Sequence, residues 1–134
     1  MITFALDTNI ISHILRKNPI VVSRVRQVLA KGDRLIIPPI AYYEVHRGLL
    51  SEDKPVQSVA FDNFCRKISV GRVEHEMLDK AAYVYSALKK LGFTVGDADI
   101  LIAAFCMVND CTLVTNNTKD FGNIEGLNIV DWVK

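Results

Sequence analysis

The chain has 134 residues and a mass of 15.0 kDa, the size of one domain spanning 1–134 rather than two. Half of it is hydrophobic and 23% is charged, which excludes an intrinsically disordered chain. Sixteen Lys and Arg against fifteen Asp and Glu leave a formal charge of +1, which excludes a uniformly basic nucleic-acid coat but not a local basic patch.

Residues 1–6 form a short apolar run rich in β-formers and read as a buried strand. Asp7-Thr8-Asn9 is a helix-capping cluster, and Ile10, Ile11, Ile14 and Leu15 follow at helical spacing. Asn18-Pro19 restarts the helix with a cap and an N1 proline, and the apolar face continues to Gly32. A second strand at 35–37 ends at Pro38-Pro39. Helices are predicted over 40–50 and 55–65, then a short strand at 68–70. The longest helical pattern, 74–91, is closed by Gly92. Gly96-Asp97 opens a nearly all-apolar helix to Val108, and strands follow at 112–115 and 127–130. Strands alternating with helices predict an α/β fold, a mostly parallel central sheet flanked by helices.

Such sheets bind ligands outside the carboxyl ends of their strands. Asp7 directly follows the first strand. Glu44 lies on an apolar helical stripe with Ile40, Ala41, Val45, Gly48 and Leu49. Asp97 and Asp99 stand in the first turn of the apolar helix, and Asn116, Asn117 and Asp120 follow another strand. Taken singly, each has an ordinary explanation as a helix cap, a solvated acid or a turn residue. Together they are acids at successive strand ends, which repel one another and call for a cation. Carboxylate oxygens suit Mg²⁺ or Mn²⁺. Such ions serve phosphodiester hydrolysis without any Ser, Cys or His nucleophile.

The cysteines Cys65, Cys106 and Cys111 are odd in number and form no C-x-x-C pair, so neither a disulfide framework nor a zinc site is expected. Residues 1–7 carry no basic segment and reach an acid early, unlike a signal peptide, and the longest uncharged run is too short for a membrane span. A cytoplasmic protein is expected. Gly-rich phosphate-binding fingerprints are absent, and Asp7-Thr8-Asn9 lacks the second acid that a haloacid-dehalogenase phosphatase needs.

Four segments in order resemble the motifs of PIN-domain nucleases. They are Leu6-Asp7-Thr8-Asn9-Ile10-Ile11-Ser12, Tyr43-Glu44-Val45-His46-Arg47-Gly48-Leu49, Asp97-Ala98-Asp99-Ile100-Leu101-Ile102-Ala103-Ala104, and Leu113-Val114-Thr115-Asn116-Asn117-Thr118-Lys119-Asp120-Phe121. The ending Gly126-Leu127-Asn128-Ile129-Val130-Asp131-Trp132 resembles the tail of VapC toxins, the nuclease half of bacterial VapBC toxin–antitoxin pairs.

The resemblance implies a PIN-like three-layer sandwich and a metal-dependent endoribonuclease toxin that inhibits translation, with transfer RNA among its candidate substrates. It implies in-line attack on the phosphodiester by water activated at Mg²⁺, or Mn²⁺ in its place. Asp7 and Asp99 would be the main ligands, with Glu44 completing the triad, and Glu44 or an oxygen of a ligand would accept the proton. Thr8 and Asn9 would orient Asp7 or a water, and Asp97 would cap its helix beside the metal. Thr115 and Asn117 would hold the far side of the pocket. Some PIN nucleases carry Asp where this chain has Asn117, and Asp120 replaces that charge only if its loop bends back. Arg16, Lys17, Arg47 and Lys119 are the candidate RNA contacts, with Arg47 equally placed to pair with Glu44. Tyr42 and Tyr43 are read first as core or interface residues, with stacking on an RNA base as the alternative. The implied partners are RNA, a VapB-type antitoxin and a second copy of the chain, with no membrane. The alternative is a catalytically inert PIN domain that binds RNA or protein.

Overall fold

A computed structural model describes residues 1–134. In chain order the elements are β1 (Thr3–Leu6), α1 (Thr8–Leu15), α2 (Pro19–Ala30), β2 (Arg34–Ile37), α3 (Pro39–Ser51), α4 (Pro55–Lys67), β3 (Ser69–Val70), α5 (His75–Lys90), α6 (Asp97–Val108), β4 (Thr112–Val114), α7 (Thr118–Phe121) and β5 (Ile129–Val130). The five strands form one sheet in the order β3-β2-β1-β4-β5, and every pairing is parallel. The consecutive residues Ala5 and Leu6 of β1 are both fully buried, as are Leu113 and Val114 of β4. Side chains alternate between faces along a strand, so both faces of the sheet centre are covered by helices.

The chain lays β2 and β3 on one side of β1, then crosses to lay β4 and β5 on the other. That reversal puts a topological switch point between β1 and β4, where the flanking connections part and leave a crevice at the carboxyl edge. α6 carries buried residues around much of its circumference, from Ile100 through Ile102, Ala103, Ala104, Phe105 and Cys106. It packs against α5, α3 and β4 as an interior helix. Gly71, just after β3, lets the Phe105 ring of α6 pack against the backbone there: an added Cβ would collide with that ring.

Capping sets the remaining boundaries. Asn18 accepts from the N–H groups of Ile20 and Val21 at 3.0 and 3.4 Å, with Pro19 at the first helical position, as the sequence predicts. Gly92 adopts φ +82 immediately after α5, where a left-handed residue ends a helix. The short helix α7 is an element that the sequence reading does not predict, while Asn116 and Asn117 stay outside it as non-helical residues. Asn117 caps α7 by accepting from the Asp120 N–H at 3.5 Å. The cysteines are free, and no helix is long and apolar enough to cross a membrane.

Candidate active site

Asp7 ends β1 and begins α1. Its backbone N–H still donates to Val114 of β4 at 3.0 Å, while its carbonyl accepts the first helical bonds, from Ile10 and Ile11. The side chain is therefore fixed at a strand-to-helix corner, 4% exposed. Oδ1 accepts from the Thr8 N–H at 2.8 Å, and Oδ2 accepts from the Thr115 hydroxyl at 2.7 Å. Thr115 is the residue after β4, and the β1–β4 register sets Leu6 against Val114, so the two following residues meet at the sheet edge. The Thr115 hydroxyl in turn accepts from the Asn117 N–H at 3.0 Å. A directed chain thus runs from the Asn117 backbone through Thr115 to Asp7. Thr115 itself is fully buried, so its hydroxyl has no alternative partner in water.

The Thr8 side chain turns the other way and donates to Glu44 Oε1 at 2.7 Å, tying α1 to α3. Arg47 stands one helical step from Glu44, with Nη2 3.9 Å from Oε2, and it also lies 5.0 Å above the Tyr43 ring. Of the two Arg47 readings, the geometry shows the pairing with Glu44. The pair is solvent-exposed on the arginine side and weak.

Asp99 enters from the first turn of α6, after the extended Gly96. Burial raises its pKa first, and the charges of Asp7, Glu44 and Asp120 raise it further, to about 6. Every influence on Asp99 has the same sign, so nothing in the chain neutralises it. Burial also raises the Asp7 pKa, opposed by the hydrogen bonds from Thr115 and Thr8, with Glu44 adding to the rise. Asp7, Glu44 and Asp120 are thus each within electrostatic reach of Asp99, and Asp7 is within reach of Glu44, at the carboxyl edge of β1 and β4. Asp120 is brought there by α7, with its Oδ2 3.4 Å from the Asn117 amide nitrogen.

Other predicted residues sit outside this cluster. Asp97 and Asn9 are exposed, at the N-terminus of α6 and in the first turn of α1. Arg16, Lys17 and Lys119 are exposed as well. Tyr42 is half-buried and stacks against Phe61 and His46, so it belongs to the packing between α3 and α4, whereas Tyr43 is exposed beneath Arg47.

The acids do not close on one point: no three His, Cys, Asp or Glu side chains form a ready-made metal cage. Glu44 has one oxygen hydrogen-bonded to Thr8 and the other facing Arg47. Mg²⁺ does not require such a cage, because it keeps several waters and is commonly held by one or two carboxylates together with substrate phosphate. Asp7 and Asp99 are two carboxylates of the kind that such a site uses. Each Asp7 oxygen uses one lone pair in its hydrogen bond and retains another.

Comparison with known proteins gives concordant results. The family model for the PIN domain matches residues 4–127. The chain is 31% identical over 133 residues to "Ribonuclease VapC1" of Haemophilus influenzae, covering 98% of each protein. It is 29% identical over 133 residues to "tRNA(fMet)-specific endonuclease VapC" of Shigella flexneri, covering 98% of this chain and 99% of that one. Among solved structures, VapBC2 from Rickettsia felis bound to a promoter DNA fragment superposes with a TM-score of 0.89 at 26% identity, over 98% and 99% of the two chains. VapBC-1 from nontypeable H. influenzae gives 0.85 at 28% identity, over 99% and 100%.

Proposed function

The chain belongs to the PIN-domain family, in its VapC ribonuclease branch, and from that premise we propose that it is a metal-dependent endoribonuclease. The observation that carries the reading is Asp99: a carboxylate in a crevice with three other acids, every one of which raises its pKa. Such a cluster is suited to a divalent cation that offsets its repulsion.

Asp7 and Asp99 would hold the ion. When bound, Mg²⁺ or Mn²⁺ supplies charge neutralisation and Lewis acidity at the phosphate. The chain's own residues do the positioning. The Asn117–Thr115–Asp7 chain and the Thr8 N–H fix Asp7 to one orientation. The Thr8 hydroxyl aims Glu44 at the same crevice, where its carboxylate takes up the proton of the attacking water. Arg47 offers a cation beside Glu44 that turns to a phosphate when RNA enters. Rate enhancement then comes mainly from alignment and charge.

The relatives named as ribonucleases and as a tRNA endonuclease support RNA as substrate, with transfer RNA the first class to try. The VapBC complexes support a VapB-type antitoxin as protein partner. The direct test is cleavage of end-labelled total bacterial RNA by the purified chain with Mg²⁺, with Mn²⁺, with EDTA, and with an Asp99→Asn variant. Discrete fragments that disappear with EDTA and in the variant are expected. Cutting that persists in the variant would refute the assignment of the site.

A further inference from the structure

A cleft of about 290 Å³ opens beside Glu44, between α1, α3 and the start of α4. Two helical rows line it. Thr8, Ser12 and Arg16 follow one another at i, i+4 spacing on one side, and Glu44, Gly48 and Glu52 do so on the other. The hydrogen bond between Thr8 and Glu44 marks its catalytic end. From there the rows extend for about 12 Å, at 1.5 Å per residue.

Gly48 is the unexpected member. It sits inside α3 with ordinary helical geometry, where glycine is disfavoured relative to alanine. A Cβ there would meet no atom within 4 Å, so packing within the chain gives no reason for glycine. What glycine does provide is an open floor on which a ligand can approach the helix backbone.

The other walls describe that ligand. Leu15 and Leu49 are apolar, Gln57 offers an amide that both donates and accepts, and Arg16 brings a cation to the end away from Glu44. At the rim, Glu52 is neutralised by Lys54 at 3.0 Å, so the mouth does not repel a polyanion. A flat group with apolar faces and a polar edge, attached to an anionic backbone, matches this combination. A nucleotide has these properties, and single-stranded RNA displays its bases this way.

We propose that the cleft seats the base of the nucleotide next to the scissile phosphate, with Gly48 as its floor, Gln57 reading the base edge and Arg16 contacting the neighbouring phosphate. This specificity pocket rests on the nuclease reading above, but its test does not depend on cleavage. In the Asp99→Asn background, affinity is measured by fluorescence anisotropy for single-stranded oligoribonucleotides that differ at one base. Gly48→Leu projects a side chain into the cleft where no protein atom stands, and its thermal midpoint is expected to match or exceed that of its parent. RNA affinity should fall at least about tenfold in Gly48→Leu, and Gln57→Ala should erase about a tenfold preference among bases. Gly48→Ala, a smaller filling, keeps the test valid if leucine disturbs the fold. Unchanged RNA affinity in folded Gly48 variants would overturn the proposal and leave the cleft to a protein partner. Gly48-sensitive binding by a chain whose wild type never cuts RNA would sink the nuclease reading and leave the pocket standing.

Discussion

Asp99→Asn should stabilise the metal-free protein while abolishing RNA cleavage. The folded-state pKa of Asp99 is about 6, against 3.8 for the unperturbed group. Between those values the folded chain holds a proton that the unfolded chain has lost, so stability falls as pH rises from about 4 through 6. The full shift corresponds to about 3 kcal/mol at 1.36 kcal/mol per unit. Asp99 is only half-buried, and solvent screening reduces this to about 1.5 kcal/mol. Asparagine has the same shape without the charge. At pH 7 in EDTA the variant should therefore be more stable by about 1.5 kcal/mol, or about 5 °C in Tm for a chain of this length. At pH 3.5, where wild-type Asp99 is largely protonated in both states, most of the difference should vanish.

The assay is urea unfolding followed by fluorescence of Trp132, the sole tryptophan, buried with its ring centroid 5.5 Å from that of Phe4. Mg²⁺ adds a second axis. At 100 times its Kd it should stabilise the wild type by about 2.7 kcal/mol, and it should do far less for the variant. A variant less stable than wild type at pH 7, or equally stabilised at pH 3.5 and 7, would refute the electrostatic account of this site.

Asp7→Asn should behave differently: in either amide orientation it loses the bond from Thr115 or that from the Thr8 N–H, so relief of the buried charge is offset and equilibrium unfolding should show no comparable gain. Thr115→Val should destabilise by about 2–3 kcal/mol in the same assay, since Asp7 and the Asn117 N–H both lose a buried partner; Thr115→Ser should recover most of it. Thr8→Val frees Glu44 and should lower kcat about tenfold with little change in KM or stability, and Thr8→Ser should restore the rate. Gly71→Ala drives a methyl into the Phe105 ring and should lower stability by about 1–3 kcal/mol in denaturant melts, with partial rescue by Phe105→Leu.

Most of the framework was legible because local signals agreed with one another. Asn18-Pro19 and Gly92 carry boundary information that does not depend on tertiary context, and both function where their residue types predict. The acids of the crevice were legible for a different reason: a carboxylate directly after a buried strand, as Asp7, or on an apolar helix, as Glu44 and Asp99, is an anomaly among apolar runs. What escaped was relational. Thr8 is next to Asp7 in sequence, yet its hydroxyl serves Glu44, because α1 turns that side chain toward α3. The link from Thr115 to Asp7 spans 108 positions and depends on parallel register, which no spacing rule encodes. α7 was missed because a four-residue helix carries no periodicity, although Asn117 was present as its cap. Gly48 did leave a signal, since a glycine within an apolar helical stripe asks for a reason.

The same electrostatics weigh against an inert binding domain. The charge at Asp99 opposes folding, and asparagine at that position would remove the opposition without changing shape. A domain that only displayed a surface would gain from losing it. The acids make physical sense where something cationic offsets them, and the chain itself offers only Arg47, 3.9 Å from Glu44 on the exposed side. Two external sources remain: a divalent ion, or a basic side chain from a protein partner. They separate cleanly in the purified chain. Stabilisation by Mg²⁺ that depends on Asp99, with no partner present, requires the ion; stabilisation that arrives only with a partner protein would assign the crevice to docking.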